Sequence, residues 1–390
     1  MASKVYYSPA WLSNRKPSDR SGSIIRKLQK LLFNSGFSEK INNEDLVCIK
    51  TNFGDPGNPN VLRPVIYRTI VEVIRQAGGR PFLAETCGHG YFGHKKSAEA
   101  YLEAATWHGL TIGSVRAPLV MLDGFWGVDG VKVRVNNGLV LDEAWIARGI
   151  LNMDHVVSLS HFKGHSPYTR GESIAASLKN LGIGLTTKTG KFLAHFDPPL
   201  HIDKEKCDRG SCTDNCLSKC PAPSAIEIVN NKARINERYC LLCGNCKSLC
   251  PLKAFYPEGK HSEVLLQKYI ADISRTVIDL VGEDRFTYIN VAYDIVTGCD
   301  CRSLNSIPIV PDIGILVSND PVAIDRASLD LVNKAAGIMG TEADILNCKE
   351  PGETKFDDSR LFEFCQAVGL GTADYELIYA SPEEIPPLTL

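Results

Sequence analysis

Two cysteine quartets, each closed by a proline, constrain this chain more than any other feature. The segment "CLLCGNCKSLCP" sets Cys240, Cys243, Cys246 and Cys250 at C-x2-C-x2-C-x3-C-P. Short loops of this spacing wrap three thiolates around one face of an iron–sulfur cubane, and in two-cluster proteins the fourth cysteine ligates the other cluster. That crossed rule needs a second quartet. "CDRGSCTDNCLSKCP" supplies it as Cys207, Cys212, Cys216 and Cys220. The expected ligand sets are therefore Cys220, Cys240, Cys243 and Cys246 for one 4Fe-4S cluster, and Cys207, Cys212, Cys216 and Cys250 for the other. The first quartet departs from the standard spacing, with gaps of x4, x3 and x3. A zinc ribbon pairs two C-x-x-C units across a longer spacer and does not match two such quartets. Between the quartets, "AIEIVNNKARINERYC" reads as a hairpin. Clusters of this kind carry electrons singly, so the cysteines announce redox chemistry without naming a substrate.

Around this segment the chain of 390 residues has the rhythm of an α/β protein. Helical stretches are expected at 21–37, 61–79, 95–110, 173–185 and 261–282, with a short one over "LDEAWIARG" (141–149). Strands are expected at "LVCIK", "RPFLAE", "APLVMLDG", "VKVRV", "DHVVSLSH", "FTYINVAYDIV" and "DIGILVS". Such alternation indicates a largely parallel sheet flanked by helices. It breaks at about residue 203 and resumes at about 258. The simplest organisation is an α/β body in two parts, 1–202 and 258–390, interrupted by a ferredoxin-like module at 203–257.

Composition excludes several partners. A net charge of -2 gives no electrostatic footprint for nucleic acid or an anionic membrane. No run of about 18 apolar residues suggests a membrane span. The opening "MASKVYYSPAWLSNRKPSD" lacks a basic start followed by an apolar stretch, so no secretory leader is expected. The fourteen cysteines then read as thiols or metal ligands in a reducing cytoplasm.

Ligands of open α/β sheets bind beyond the carboxyl ends of the strands. Five expected strands place polar groups there: Lys50 and Asn52; Glu85, Cys87 and His89; His161, Lys163 and His165; Cys299, Asp300 and Cys301; Asn319 and Asp320. Lys50, Lys163 and Lys179 suit a basic pocket for a carboxylate or phosphate, or simply face solvent. Asp320 before "PVAID" reads most simply as a helix N-cap with proline at the first helical position. Cys48, Cys348 and Cys365 read as structural. The C-x-C pair Cys299/Cys301 lies outside both quartets; it could hold a soft metal, react as redox or nucleophilic thiols, or pack.

Taken together, "HFKGH", "LKNLGIGL", the two C-x3-C-P quartets, "CDC…PDIGILVSNDPVAIDRASLDLV" and "AVGLGTADYEL" resemble the domain-of-unknown-function 362 family, iron–sulfur proteins of anaerobic bacteria and archaea. The likeness runs from about residue 45 to about 375. "GESIAAS" before "LKN" departs from the family's glycine-rich stretch. The resemblance implies a 4Fe-4S protein with an α/β body. The expected function is a redox protein, an oxidoreductase or a component of one, relaying low-potential electrons to a strand-end site built from Lys50, Glu85, His161, Lys163, His165, Cys299 and Cys301. A redox partner protein and an anionic small molecule are the expected partners. A carrier without catalysis and a metal or cofactor chaperone are the alternatives.

Overall fold

The computed structural model describes residues 2–10, 22–90, 93–165, 174–208, 212, 215–303, 306–346 and 348–380. Eight strands build its main sheet: β1 (Ser3–Pro9), β2 (Leu46–Lys50), β3 (Arg80–Glu85), β4 (Leu119–Met121), β5 (His155–His161), β6 (Phe286–Ala292), β7 (Gly314–Ser318) and β8 (Tyr375–Tyr379). Their spatial order is β8-β1-β7-β6-β5-β2-β3-β4. β4, β3, β2, β5 and β6 are parallel neighbours, as are β1 and β8, while β7 pairs antiparallel with both β6 and β1. The fold is thus α/β with a mostly parallel sheet.

Both faces of the sheet are covered, which is why its central strands read as nearly unbroken apolar runs. Alternation assigns the faces. Val47, Ile49, Val157 and Leu159 pack beneath α1 (Ile24–Asn34), α2 (Pro64–Gln76) and α3 (Ala98–Trp107). Cys48, Val156, Phe286 and Tyr288 pack on the other face, beneath α4 (Ser177–Gly182), α6 (Glu263–Val281) and α7 (Pro321–Lys334), with α5 (Lys188–His195) alongside α6. Cys48, Cys348 and Cys365 are buried, in keeping with structural roles.

Two expectations are corrected. Residues 141–149 are not helical: Glu143–Ala147 is a strand paired antiparallel with Gly130–Arg134. Ala144 and Ile146 are buried on alternate positions, so packing in the hairpin overrides the helix-forming composition. The reversal of β7 is the second. Ala292 pairs with Gly314 and Tyr288 with Ser318. The connection 293–313 therefore leaves and re-enters the sheet at one edge, and Asn319 and Asp320 fall at the opposite edge from the other strand-end groups. Asp320 caps α7 there, accepting from the amides of Val322 (2.8 Å) and Ala323 (3.0 Å), with Pro321 at the first helical position.

The cysteine-rich segment is bracketed by Phe196–Ile202 and Phe255–Lys260, which pair with each other. Inside it lie a hairpin, Ile226–Val229 with Lys232–Ile235, and the short helices Asn215–Ser218 and Asn245–Leu249.

Asp325 of α7 fixes the start of α4, which lacks a side-chain cap of its own. Its buried carboxylate accepts from the amides of Ser177 (3.0 Å) and Leu178 (2.8 Å) and from the Asn290 amide of β6 (2.8 Å). Asp325→Ala would leave three buried donors unpaired and is expected to cost about 3 kcal/mol. Denaturant unfolding measures it; a loss below about 1 kcal/mol would mean that the network contributes little.

Candidate functional site

A buried lysine ends β2. The Lys50 ammonium has no exposed surface and meets Glu85 of β3 at 3.1 Å, the Asn180 side chain of α4 at 3.0 Å and the Thr51 carbonyl at 3.1 Å. Burial lowers its pKa and Glu85 opposes the shift. Asn180 in turn donates to the Lys50 carbonyl (3.0 Å) and the Ser158 hydroxyl (3.1 Å), so one side chain ties α4 to β2 and β5.

A second buried charge group forms where β5 and the 293–313 connection meet. Asp300 contacts the Lys163 ammonium and lies 3.1 Å from Nδ1 of His161, whose Nε2 faces the Tyr293 carbonyl at 2.6 Å. Lys163 also donates to the Asn60 carbonyl at 3.0 Å. Burial alone would raise the Asp300 carboxyl; Lys163 and His161 outweigh it and hold the group well below the usual carboxylate range.

In front of these groups opens a cavity of about 500 Å³. Of the seven residues expected at the site, Glu85, His161, His165, Cys299 and Cys301 line it, while Lys50 and Lys163 stand behind its wall. Cys299 and Cys301, for which metal ligation, reactive thiols and packing all stayed open, are bonded to each other as a disulfide.

Lys179, expected in a basic pocket, lines the cavity, and so do three cations that strand-end reasoning does not find because they come from helices and loops: Lys95, Lys191 and Arg302. Lys191 donates to the Thr86 hydroxyl (2.5 Å) and the Cys87 carbonyl (2.6 Å), and Lys95 to the Cys301 carbonyl. Burial brings Lys179 down to about 7, with Lys95 adding to the shift, and brings Lys95 to about 8. His195 also lines the cavity and donates to the Lys191 carbonyl (2.7 Å); burial lowers it, as it does His165. The four-residue spacing of Lys191 and His195, one face of a helix, is the signal that would have found them.

The cysteine-rich segment abuts this cavity. Gly244 is in the left-handed region, and a Cβ there would lie 3.3 Å from Nε2 of His89, a cavity residue stacked on Phe192. Lys188 donates to the Asn245 side chain (3.3 Å) and the Thr189 hydroxyl to the Leu241 carbonyl.

The cysteines themselves sort into two groups. Burial raises Cys216, and the neighbours adding to the shift are Cys212, Cys250 and Cys207. Burial raises Cys246, and its neighbours are Cys243, Cys240 and Cys220. Cys220, Cys240, Cys243 and Cys246 also line one small apolar cavity with Leu200, Ile226 and Ile235. Among the described residues no three His, Cys, Asp or Glu side chains converge as they would on a single ion. A four-iron cubane spreads its thiolates over a wider tetrahedron, and thiolates are the ligands it takes. The donor set fits such a cluster.

The model of the family described as domain of unknown function (DUF362) matches residues 47–330. The pyruvate synthase subunit PorD of Methanothermobacter marburgensis is 36% identical over 87 residues, a match spanning 22% of this chain and 95% of that protein. The lactate racemase apoprotein from Thermoanaerobacterium thermosaccharolyticum aligns over 97% of this chain and 82% of that one, at 9% identity and a TM-score of 0.37. No helix among the described residues is long and apolar enough to cross a membrane.

Lys163→Met would strand the buried Asp300 carboxylate and is expected to cost about 4 kcal/mol at neutral pH. The Asp300 pKa then rises, so its protonation stabilises the folded variant and the deficit narrows below about pH 5. Unfolding midpoints taken from pH 4 to 8 test this; a pH-independent deficit would refute it.

Proposed function

This chain belongs to the DUF362 family, and we propose that it is an iron–sulfur redox protein that relays low-potential electrons through two 4Fe-4S clusters to the strand-end cavity. The observation that carries this reading is the sorting of the cysteines: the neighbours of Cys216 and of Cys246 are the two crossed ligand sets. Cys207, Cys212, Cys216 and Cys250 would hold one cluster, and Cys220, Cys240, Cys243 and Cys246 the other, in a ferredoxin-like module spanning 203–257. Bound there, the clusters supply one-electron transfer.

The residues of the cavity define what it would bind. Lys50 and Lys163 already neutralise Glu85 and Asp300 from behind. Lys95, Lys179, Lys191 and Arg302 then outweigh Asp55 on the wall, which favours an anionic small molecule. His161 is turned to Asp300 and the Tyr293 carbonyl, so it positions the wall, whereas Lys179 and Lys95, brought toward neutral pH by burial, are suited to moving protons. Likeness to a pyruvate synthase subunit supports a second protein as source or sink of the electrons. The composition supports a cytoplasmic setting.

Anaerobic reconstitution followed by iron and sulfide analysis tests the cluster assignment. About eight irons per chain are expected, falling to about four in Cys216→Ser and in Cys246→Ser. Binding of a single tightly held zinc would overturn it. The Lys179 ammonium loses its charge as pH rises through about 7. Affinity for small carboxylates such as oxalate, measured calorimetrically, should therefore drop about tenfold from pH 6 to pH 8. In Lys179→Met the pH dependence should largely vanish; an unchanged profile would remove Lys179 from the site.

A further inference from the structure

We propose that Cys299 and Cys301 form a redox-active disulfide at the end of the electron relay, reduced by two successive electrons from the iron–sulfur clusters and storing them as a dithiol in the cavity. This rests on the cluster reading above. Its balance is simple: the disulfide bond breaks on uptake of two electrons and two protons, giving two thiols, and two reduced-cluster equivalents are oxidised.

Three observations point to it. First, the pair faces the cavity, with Cys301 half-buried. Cys299 is 1% exposed, and both residues line the cavity with His161 and His165. An internal donor reaches sulfurs on the cavity wall without a second protein having to enter it.

Second, a short run of contacts joins the pair to the cysteine segment. The Lys95 ammonium donates to the Cys301 carbonyl, and the Lys95 carbonyl accepts from the Gly88 amide at 2.8 Å. His89 follows, with its Nε2 buried and lacking a hydrogen-bond partner, next to Gly244 between Cys243 and Cys246. A Cβ on Gly90 would fall 2.2 Å from the Ser248 hydroxyl, so the loop lies flat on the helix that begins at Asn245. Burial drives His89 down to about 3, with His195 and Lys247 adding to it, which keeps the ring neutral between the two sites.

Third, the surroundings suit the reduced form. Breaking the bond releases thiolate, which nearby cations stabilise. Lys95 acts on Lys179, Arg302 adjoins Cys301, and Lys179 and Arg302 both act on His165. The loop is also held by its backbone: the Asp55 amide donates to the Asp300 carbonyl (2.9 Å) and the Asn58 side chain to the Arg302 carbonyl (3.0 Å). Opening and closing the bond therefore need not displace the chain around it.

The test uses the full-length, iron-loaded protein under anaerobic conditions. Photoreduced 5-deazaflavin supplies electrons in counted amounts, N-ethylmaleimide traps thiols, and mass spectrometry of the peptide carrying Cys299 and Cys301 reads the label. The expected result is that both cysteines take label together, one pair per two electrons added. Labelling should slow at least about tenfold in protein stripped of iron by a chelator and in Cys246→Ser. Two outcomes overturn the inference: cluster absorbance that bleaches fully while the pair stays unlabelled, or labelling as fast without iron as with it. A preparation that takes up no iron instead overturns the cluster reading, and the inference with it.

Discussion

A lysine with no exposed surface at the carboxyl end of β2 sets the terms for everything around it. Removing an ammonium from water costs far more than a fold can bear unless the charge is paired. Lys50 finds Glu85 on the adjacent strand and Asn180 on a helix laid over the sheet. Those partners bring β2, β3, β5 and α4 into one register. Asp300 repeats the arrangement a strand away, with Lys163 and His161. The wall of the cavity is thus rigid because its buried charges have no cheaper arrangement, and rigid walls are what hold reacting groups in place.

The reversed strand β7 is equally consequential. A parallel crossover would have carried the chain away from the strand ends. An antiparallel return keeps residues 293–313 above them, and this is how Cys299, Asp300 and Cys301 come to face groups from β2, β3 and β5. The cavity is cationic on its walls and neutral behind them, and it lies against the cysteines nearest the body.

Much of this was legible in the sequence, for physical reasons. Burial on both faces wrote β2, β5 and β6 as apolar runs, and the Asp320-Pro321 pair marked the start of α7. The cysteine spacing fitted a hairpin between the quartets, and Ile226–Ile235 forms one. What failed was whatever depends on the partner strand. Glu143–Ala147 has helix-forming residues but pairs with Gly130–Arg134, and the direction of β7 is written in its neighbours rather than in its own residues. Asn319 and Asp320 were consequently placed at the wrong edge. Lys95 escaped notice because a single lysine in a loop carries no local signal, whereas Lys191 shares a helix face with His195, a spacing that went unread.

Helix α5 belongs to two places at once. One turn gives Lys188 and Thr189 to the cysteine-rich segment, and the next gives Lys191 and His195 to the cavity. The segment therefore cannot be treated as a removable insert. Excising it to obtain a simpler body would strip contacts from a cavity wall, and grafting another cluster-binding unit in its place would have to reproduce the surface that α5 and the 88–90 loop rest on. In this architecture the cysteine-rich segment also shapes the cavity wall, so the two must change together.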